Sequence, residues 1–406
     1  MKILYFATTA FYKKPNPSFH LMKSQIEDLL RFGHEIFYIG VEDTRLDKHI
    51  PDEFLGHSHF HYALIKRKKS SKTQFVMRYL KGIKYAFDAR KHIRAWADIC
   101  DVAFLQSSPT ILYNTLVTRS LMKNKKIVLN IQDMFPGSSI ASGIMPKKWM
   151  QNIFYMIQKI AYRKGDMIVG ISEDMRIKLM EQGVPIEKTA VILNWFDDNS
   201  VQEVEWESNR FVKKYGMLKD KFYIQYAGTM GYVFDYKMVL EVAERLKTFK
   251  DIEIQMIGAG SQKEAFIIAA DERNLNNISF LPLEPQEMVS DVYSACSVCL
   301  IPLKHGIIGN SVPSKAGLLM ACKRPIITSV DSDSEYAKEI NDNRIGIACP
   351  DDDPQSVVDA ILYLYNHPQE GYEMGLRGYE YGRVRYSRTK NMSDYNELFK
   401  KLYKCI

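Results

Sequence analysis

The chain writes one pattern twice: a short strand-forming run, a loop, an amphipathic helix, then another strand. Met1 to Phe6 is a run of strand formers. Phe19 to Phe32 then carries apolar residues at helical spacing, and Gly33-His34 ends it before the strand Glu35 to Ile39. Asp101 to Leu105, Lys126 to Asn130 and Met167 to Gly170 are further short apolar strands, with Leu112 to Met122, Met150 to Tyr162 and Asp174 to Gln182 as the helices between them. Such alternation predicts parallel strands covered by helices on both faces, an α/β doubly wound sheet.

The pattern restarts after a polar, acidic stretch, Asp197 to Asn209. It runs through the strands Phe222 to Ala227, Ile252 to Gly258, Ile278 to Leu281, Val298 to Pro302 and Pro325 to Thr328, with helices at Tyr236 to Leu246 and Lys263 to Arg273. At 406 residues the chain exceeds one ordinary core, so two doubly wound domains in tandem are expected, joined near residues 197–210. Ser387 to Lys404 reads as a closing amphipathic helix with Tyr395, Leu398, Phe399 and Leu402 on one face. Ligands of such sheets collect at the carboxyl ends of the strands, which predicts a cleft site where two such domains face each other.

Composition narrows the partners. A charged fraction of 25% with 46% hydrophobic residues excludes a disordered chain. Fifty-five Lys and Arg against 48 Asp and Glu leave +7, enough to favour an anionic membrane or a phosphorylated substrate. No recognition module accompanies that charge, so nucleic acid is not expected. Six scattered cysteines fit a reducing cytoplasm, and Cys296-Ser-Val-Cys299, a lone pair inside an apolar run, reads as core packing. The opening MKILYFATTAF reads as a buried strand, and no run approaches the ~18 apolar residues of a spanning helix. A cytoplasmic chain, at most peripheral to a membrane, is expected.

Several loops carry candidate chemistry. In Gly309-Asn-Ser-Val-Pro-Ser-Lys315 an apolar helix is expected to begin at Val312 to Ser314, which sets Lys315 in its first turn. A cation is unfavourable there. Either Lys315 is solvated, or an anion sits between it and the helix start. Gly228-Thr229-Met230-Gly231 follows a strand and precedes a helix, where missing side chains let the main chain approach a ligand; an ordinary turn is the alternative. Gly258-Ala-Gly260 follows a strand but lacks the third glycine of a dinucleotide fingerprint. His57-Ser-His59-Phe-His61 alternates, so on a strand its imidazoles would share one face; with no carboxylate or cysteine partner in view, a metal site is not expected. The basic run Ile65 to Lys72, followed by Phe75, Met77, Tyr79 and Leu80 and then Lys81, Lys84, Arg90, Lys91 and Arg94, is either a solvated face or a surface for anionic lipid.

The ordered series Asp166-Met-Ile-Val-Gly-Ile-Ser172, Gly183-Val-Pro-Ile-Glu-Lys188, Val191-Ile-Leu-Asn-Trp-Phe-Asp197, Tyr226-Ala-Gly-Thr-Met-Gly231, Met256-Ile-Gly-Ala-Gly260 and Val292 to Pro302 resembles retaining glycosyltransferases of family 4. Asn130-Ile-Gln-Asp-Met-Phe-Pro136, Asn194-Trp195 and Pro313-Ser-Lys315 resemble its bacterial O-antigen, capsule and exopolysaccharide members, which move N-acetylfucosamine or similar amino sugars. The resemblance implies a GT-B architecture: an acceptor-binding domain over residues 1–196, a nucleotide-sugar domain over 210–386, and a last helix, 387–406, packed back on the first domain. It also implies a UDP-sugar donor, a lipid-linked saccharide acceptor, and neither metal nor other cofactor.

By the same resemblance Gly228, Thr229, Ser314 and Lys315 hold the donor diphosphate, while Gly258, Gly260 and Pro313 lie along the nucleotide. Asp133 and Asn310 attend the transferred sugar, and Ser107, Ser108 and His20 line the sugar or acceptor side. Three departures stand out, the first being that the family's Arg and Lys after the first strand of the second domain are absent, with Lys237 the nearest candidate. The family's paired glutamates are replaced by Asn310 and Leu318, and its glycine-rich donor loop by a version with Pro15, Pro17 and Ser18. A catalytically silent sugar-nucleotide or membrane scaffold, and a UDP-sugar epimerase of the same fold, are therefore the alternatives.

Overall fold

The computed structural model describes residues 1–404 apart from 12–16, 44–45, 47, 68–74, 142, 144, 146, 198–200 and 312–315. It divides into two units. One holds Met1–Ser138, Met145–Asn194 and Asn391–Ile406; the other holds Ser139–Ile144 and Trp195–Lys390.

In the first unit seven strands are β1 (Lys2–Phe6), β2 (Glu35–Glu42), β3 (Phe60–Lys66), β4 (Val102–Gln106), β5 (Lys126–Ile131), β6 (Met167–Gly170) and β7 (Thr189–Val191). They form one parallel sheet in the order β3-β2-β1-β4-β5-β6-β7. Parallel strands are covered on both faces, so their sequences are continuous apolar runs. Accordingly Ile3, Leu4, Tyr5 and Phe6 are fully buried, as are Phe104 and Leu105 on the adjoining strand. The helix Arg388–Tyr403 contributes its Asn391–Tyr403 part to this unit. Tyr395 and Phe399 set their rings edge-on to Phe104 at 5.8 and 5.5 Å, and Leu398, expected on the same face, is only half-buried.

The second unit repeats the plan with β8 (Phe222–Thr229), β9 (Ile252–Ala259), β10 (Ile278–Leu281), β11 (Val298–Pro302), β12 (Ile326–Val330) and β13 (Gly346–Pro350). Its parallel order is β10-β9-β8-β11-β12-β13. The helix Tyr236–Leu246 starts at Asp235, whose carboxylate accepts from Lys237 N and Met238 N, and it buries Met238, Val239, Val242 and Leu246 in the core. Residues 201–209, expected as part of a joint, are fastened to this unit. Glu203 pairs with Lys323 at 3.0 Å and Arg324 at 2.8 Å, and the buried Asn209 caps the helix Arg210–Tyr215.

In both sheets the strand order reverses once, between β1 and β4 and between β8 and β11. Loops leaving such a reversal diverge to opposite faces and open a crevice at the carboxyl edge. Among the described residues no helix is long and apolar enough to cross a membrane.

Candidate active site

At the reversal in the second sheet the loops after β8, β9 and β11 are tied together. Gly228 and Gly258 are partners at the ends of β8 and β9, and both have left-handed φ, +150° and +138°. A Cβ on Gly258 would overlap the Gly228 carbonyl oxygen and lie 2.9 Å from its carbon; a Cβ on Gly260 would overlap the Met230 carbonyl in the same way. The main chains are therefore this close because of each other, a reason for both glycines beyond any ligand. Thr229, at the tip of β8, presents its side chain to solvent, while its carbonyl accepts from the Tyr226 hydroxyl at 2.8 Å.

Gln262 and Lys304 complete the tie. Gln262 N donates to Met230 O at 3.1 Å, and its side-chain amide donates to Phe234 O at 3.0 Å and to Gly231 O. Lys304 Nζ reaches Gln262 Oε1 at 3.4 Å, and Lys304 N donates to Val233 O at 3.1 Å. Among the described residues Lys304 has no carboxylate partner. Lys263 turns its Nζ to the Gly258 and Leu281 carbonyls, at 2.8 and 3.0 Å. Two ammonium groups thus stand at the carboxyl edge without a counter-carboxylate among the described residues, a setting that favours an anion. Sequence reasoning passed over Gln262, Lys263 and Lys304, although Lys304 stands only two residues after Pro302 at a strand end.

Further along the same loop, Asn310 donates its side-chain amide to Gly306 O at 2.8 Å and is half-buried. Pro313, Ser314 and Lys315 lie outside the described residues. The helix that follows them is Ala316–Ala321, with Leu318 in its middle.

The first unit gathers polar groups at its own reversal. Tyr5 donates to Gln25 Oε1 at 2.7 Å, Asn130 to Gln106 Oε1 at 3.1 Å, Tyr395 to Asn130 Oδ1 at 3.1 Å, and Gln132 to Asn130 Oδ1 at 3.2 Å. Ser107 Oγ accepts from Gln132 N at 3.1 Å, so Ser107 braces the turn that carries Asp133. Ser108 Oγ lies 3.3 Å from Thr110 Oγ1 and 3.4 Å from Asn114 Nδ2, at the start of the helix Ile111–Leu121. His20 is exposed in the helix Pro17–Arg31, its ring edge-on to Phe19.

Asp133 meets water yet sits among enough protein for loss of solvation to push its carboxyl up to about 6, against the lowering effect of a hydrogen bond with Ser138. A carboxyl raised on folding prefers to be protonated in the native state. Its contribution to stability is complete below its ordinary value of 3.8 and is lost as pH climbs through about 6. In a dry site such a displacement is worth about 3 kcal/mol; with water at the carboxyl, about 1 kcal/mol is the better figure. Asp133→Asn is accordingly expected to gain about 1 kcal/mol over the native chain at pH 7.5 relative to pH 4, in paired urea unfolding curves. Equal differences at the two pH values would show that the carboxyl is not displaced.

The three alternating histidines do not form a comb. Only His61 is on a strand, stacked on Phe37 and 2.8 Å from Glu35 Oε1, whereas His57 and His59 lie in the turns before β3. Cys296 and Cys299 are both buried, their sulfurs 3.3 Å apart.

Two parallel α/β units of seven and six strands, each reversing once, are the GT-B glycosyltransferase fold. HepE of Anabaena, solved in complex with UDP, has it: TM-score 0.72 at 12% identity, covering 99% of this chain and 100% of that one. Residues 221–367, the span that holds the tied loops, match the family model described as glycosyl transferases group 1. The chain is also 26% identical over 301 residues to WbjE of Pseudomonas aeruginosa, assigned as a glycosyltransferase, across 73% of this chain and 74% of that protein. WcaI of Escherichia coli K12, assigned to colanic acid biosynthesis as a glycosyl transferase, is 22% identical over 221 residues, across 53% and 54%. The chain therefore shares the GT-B fold, and its second unit is similar to glycosyl transferases group 1.

Proposed function

We propose that the chain takes a sugar, an N-acetylated or deoxy amino sugar, from a UDP donor and passes it with retention to a lipid-linked saccharide during surface-polysaccharide assembly. The observation that carries the donor side is the tie of three loops made by Gln262 and Lys304, next to Thr229, at the reversal of the second sheet. A diphosphate gains negative charge as its bond to the sugar breaks, and fixed cations and main-chain donors stabilise that charge without a metal. HepE was solved with UDP, which supports UDP over other nucleotides as the first candidate. Lys315 and Ser314 add to the diphosphate contacts, Gly258, Gly260 and Pro313 flank the nucleotide, and Asn310 orients a sugar hydroxyl. Asp133 offers a carboxylate to the positive charge that develops at the anomeric carbon. Ser107, Ser108 and His20 line the acceptor side, and the departing diphosphate takes the acceptor's proton.

A thermal-shift screen of UDP-, GDP- and dTDP-sugars tests the donor. UDP-sugars are expected to stabilise the chain, and no shift with any of them would remove the enzymatic reading. Because Asn310 and Leu318 replace a pair of glutamates, and Asn310 spends its amide on Gly306 O, a silent scaffold is the second reading. Binding of UDP-sugar without release of UDP to any saccharide acceptor would favour it.

A lipid-linked acceptor calls for a membrane-facing surface, and the candidate in the first unit joins part of the basic segment expected to meet anionic lipid, Met77 to Arg94, to an apolar stripe on a second helix that the sequence did not single out. The helix Lys148–Lys164 contains no acidic residue and leaves Trp149, Ile153, Met156 and Ile160 exposed, Trp149 by 62%. Tyr79 and Phe154, edge-on at 5.1 Å, join it to the helix Phe75–Asp88, where Val76, Met77, Leu80 and Phe87 are exposed. Lys84, Arg90, Lys91 and Arg94 border a groove of about 790 Å³ beside Phe87. Apolar side chains ringed by lysine and arginine suit the headgroup region of an anionic bilayer. Trp149→Ser with Met156→Ser is expected to weaken binding to vesicles containing about a third phosphatidylglycerol roughly a hundredfold, since two exposed apolar side chains contribute about 1.5 kcal/mol each. Unchanged co-sedimentation would place the contact elsewhere.

A further inference from the structure

The loop after β11 carries His305, β12 ends immediately before Asp331, and β13 ends immediately before Asp351. These three neighbouring positions converge. His305 Nδ1 lies 3.0 Å from Asp331 Oδ1 and 3.0 Å from Asp351 Oδ2. We propose that the three side chains bind a divalent first-row transition-metal ion, such as Zn²⁺ or Mn²⁺, which clips the loop after β11 to the ends of β12 and β13.

The metal-free arrangement leaves its own chemistry incomplete. One imidazole nitrogen carries at most one hydrogen, yet two carboxylate oxygens face it at the same distance. Neither carboxylate has a lysine or arginine partner among the described residues. Both are largely out of water, with side chains 12% and 10% exposed. Asp331 Oδ1 takes the Gly306 N–H at 2.8 Å, but Asp331 Oδ2 is buried with no hydrogen-bond partner among the described residues. Two carboxylates held together and an oxygen left over call for a cation.

Size and ligand type choose the cation. Donors bonded to one ion at 2.0–2.2 Å stand about 3 Å apart, the spacing already present between His305 Nδ1 and each carboxylate, and all three donors lie within 4.8 Å of one another. One imidazole nitrogen with carboxylate oxygens suits zinc or manganese, whereas magnesium and calcium prefer an all-oxygen shell. His305 is 86% exposed, so water reaches the open side and completes the coordination. Two ionised carboxylates and a neutral imidazole balance the charge of a divalent ion. The ion takes no part in sugar transfer. It steadies the segment from Lys304 to Asn310, because Gly306 is bonded both to Asp331 and to Asn310.

The full chain, stripped with chelator, is titrated with Zn²⁺ by calorimetry beside His305→Gln and Asp351→Asn, and Co²⁺ absorption reports the ligands. The native chain is expected to bind one equivalent more than either variant, with a Co²⁺ visible band that both variants lose. His57 and His59 are exposed and give a background common to all three proteins. Equal stoichiometry in the native chain and the variants overturns the site. So does a variant that loses thermal stability equally with and without Zn²⁺, because that is the mark of an imidazolium bridging two carboxylates. UDP binding is measured separately by thermal shift, so failure of the metal site and failure of the donor reading are told apart.

Discussion

Gly258→Ala is expected to lower the unfolding midpoint by about 10 °C, or to leave little soluble protein. Its Cβ would overlap the Gly228 carbonyl oxygen, a main-chain atom inside a parallel ladder that cannot swing aside as a side-chain tip can. The φ of +138° adds strain of its own, since side-chain-bearing residues rarely adopt it. A clash with fixed backbone together with a disfavoured dihedral falls in the exceptional class of single substitutions, about 4 kcal/mol. At 2–4 °C per kcal/mol for a unit of this size, that gives the stated drop. Gly231→Ala is the control. Its Cβ would meet only Thr229 Cγ2 at 3.5 Å, an ordinary contact, so the midpoint is expected to move by about 2 °C or less. If Gly231→Ala folds normally but no longer responds to UDP, this loop owes its glycine to the ligand, whereas Gly258 owes its glycine to Gly228.

That contrast marks where the sequence could be read and where it could not. Strand and helix alternation follows from hydrophobic period, so two parallel units were legible before any coordinates. A period says nothing about which strand lies beside which, and the reversals beside β4 and β11 appear only in the fold. The resemblance alone sets Gly258 and Gly260 along a nucleotide, and a glycine required by a neighbouring strand looks identical in sequence to one required by a ligand. The outer stripe of Lys148–Lys164 escaped notice for a related reason. Met150, Phe154, Ile157 and Ala161 form one stripe and Trp149, Ile153, Met156 and Ile160 the stripe beside it; both are apolar, so composition cannot say which turns inward. Gln262, Lys263, Lys304 and the trio His305, Asp331 and Asp351 are joined by tertiary geometry across tens of residues, with no spacing to betray them. His57, His59 and His61 show the converse: their alternation is plain in the sequence, but β3 begins only at Phe60, so the three share no strand face.

Saturating UDP is expected to raise the midpoint of the native chain by about 8 °C, and Lys315→Ala to abolish most of that rise. Ligand at a hundred times its dissociation constant stabilises by about 2.7 kcal/mol, which for a unit of this size is about 8 °C. A charge-assisted contact from an ammonium to a phosphate oxygen is worth about 2–3 kcal/mol, so its removal costs most of two orders of magnitude in affinity. The same UDP concentration would then stand near the new dissociation constant, fill about half of the sites and stabilise by less than about 1 kcal/mol. Lys304→Ala belongs in the same experiment, because Lys304 is the ammonium standing beside the Gln262 tie without a carboxylate. If it alone cancels the shift, the diphosphate rests at the strand reversal and not near residue 315. If both halve it, the charge is shared. Lys237→Ala, on the exposed side of the helix Tyr236–Leu246, should leave the shift intact. A full shift in both Lys315→Ala and Lys304→Ala would mean that no lysine here meets the diphosphate, and the donor side of the proposal would fall.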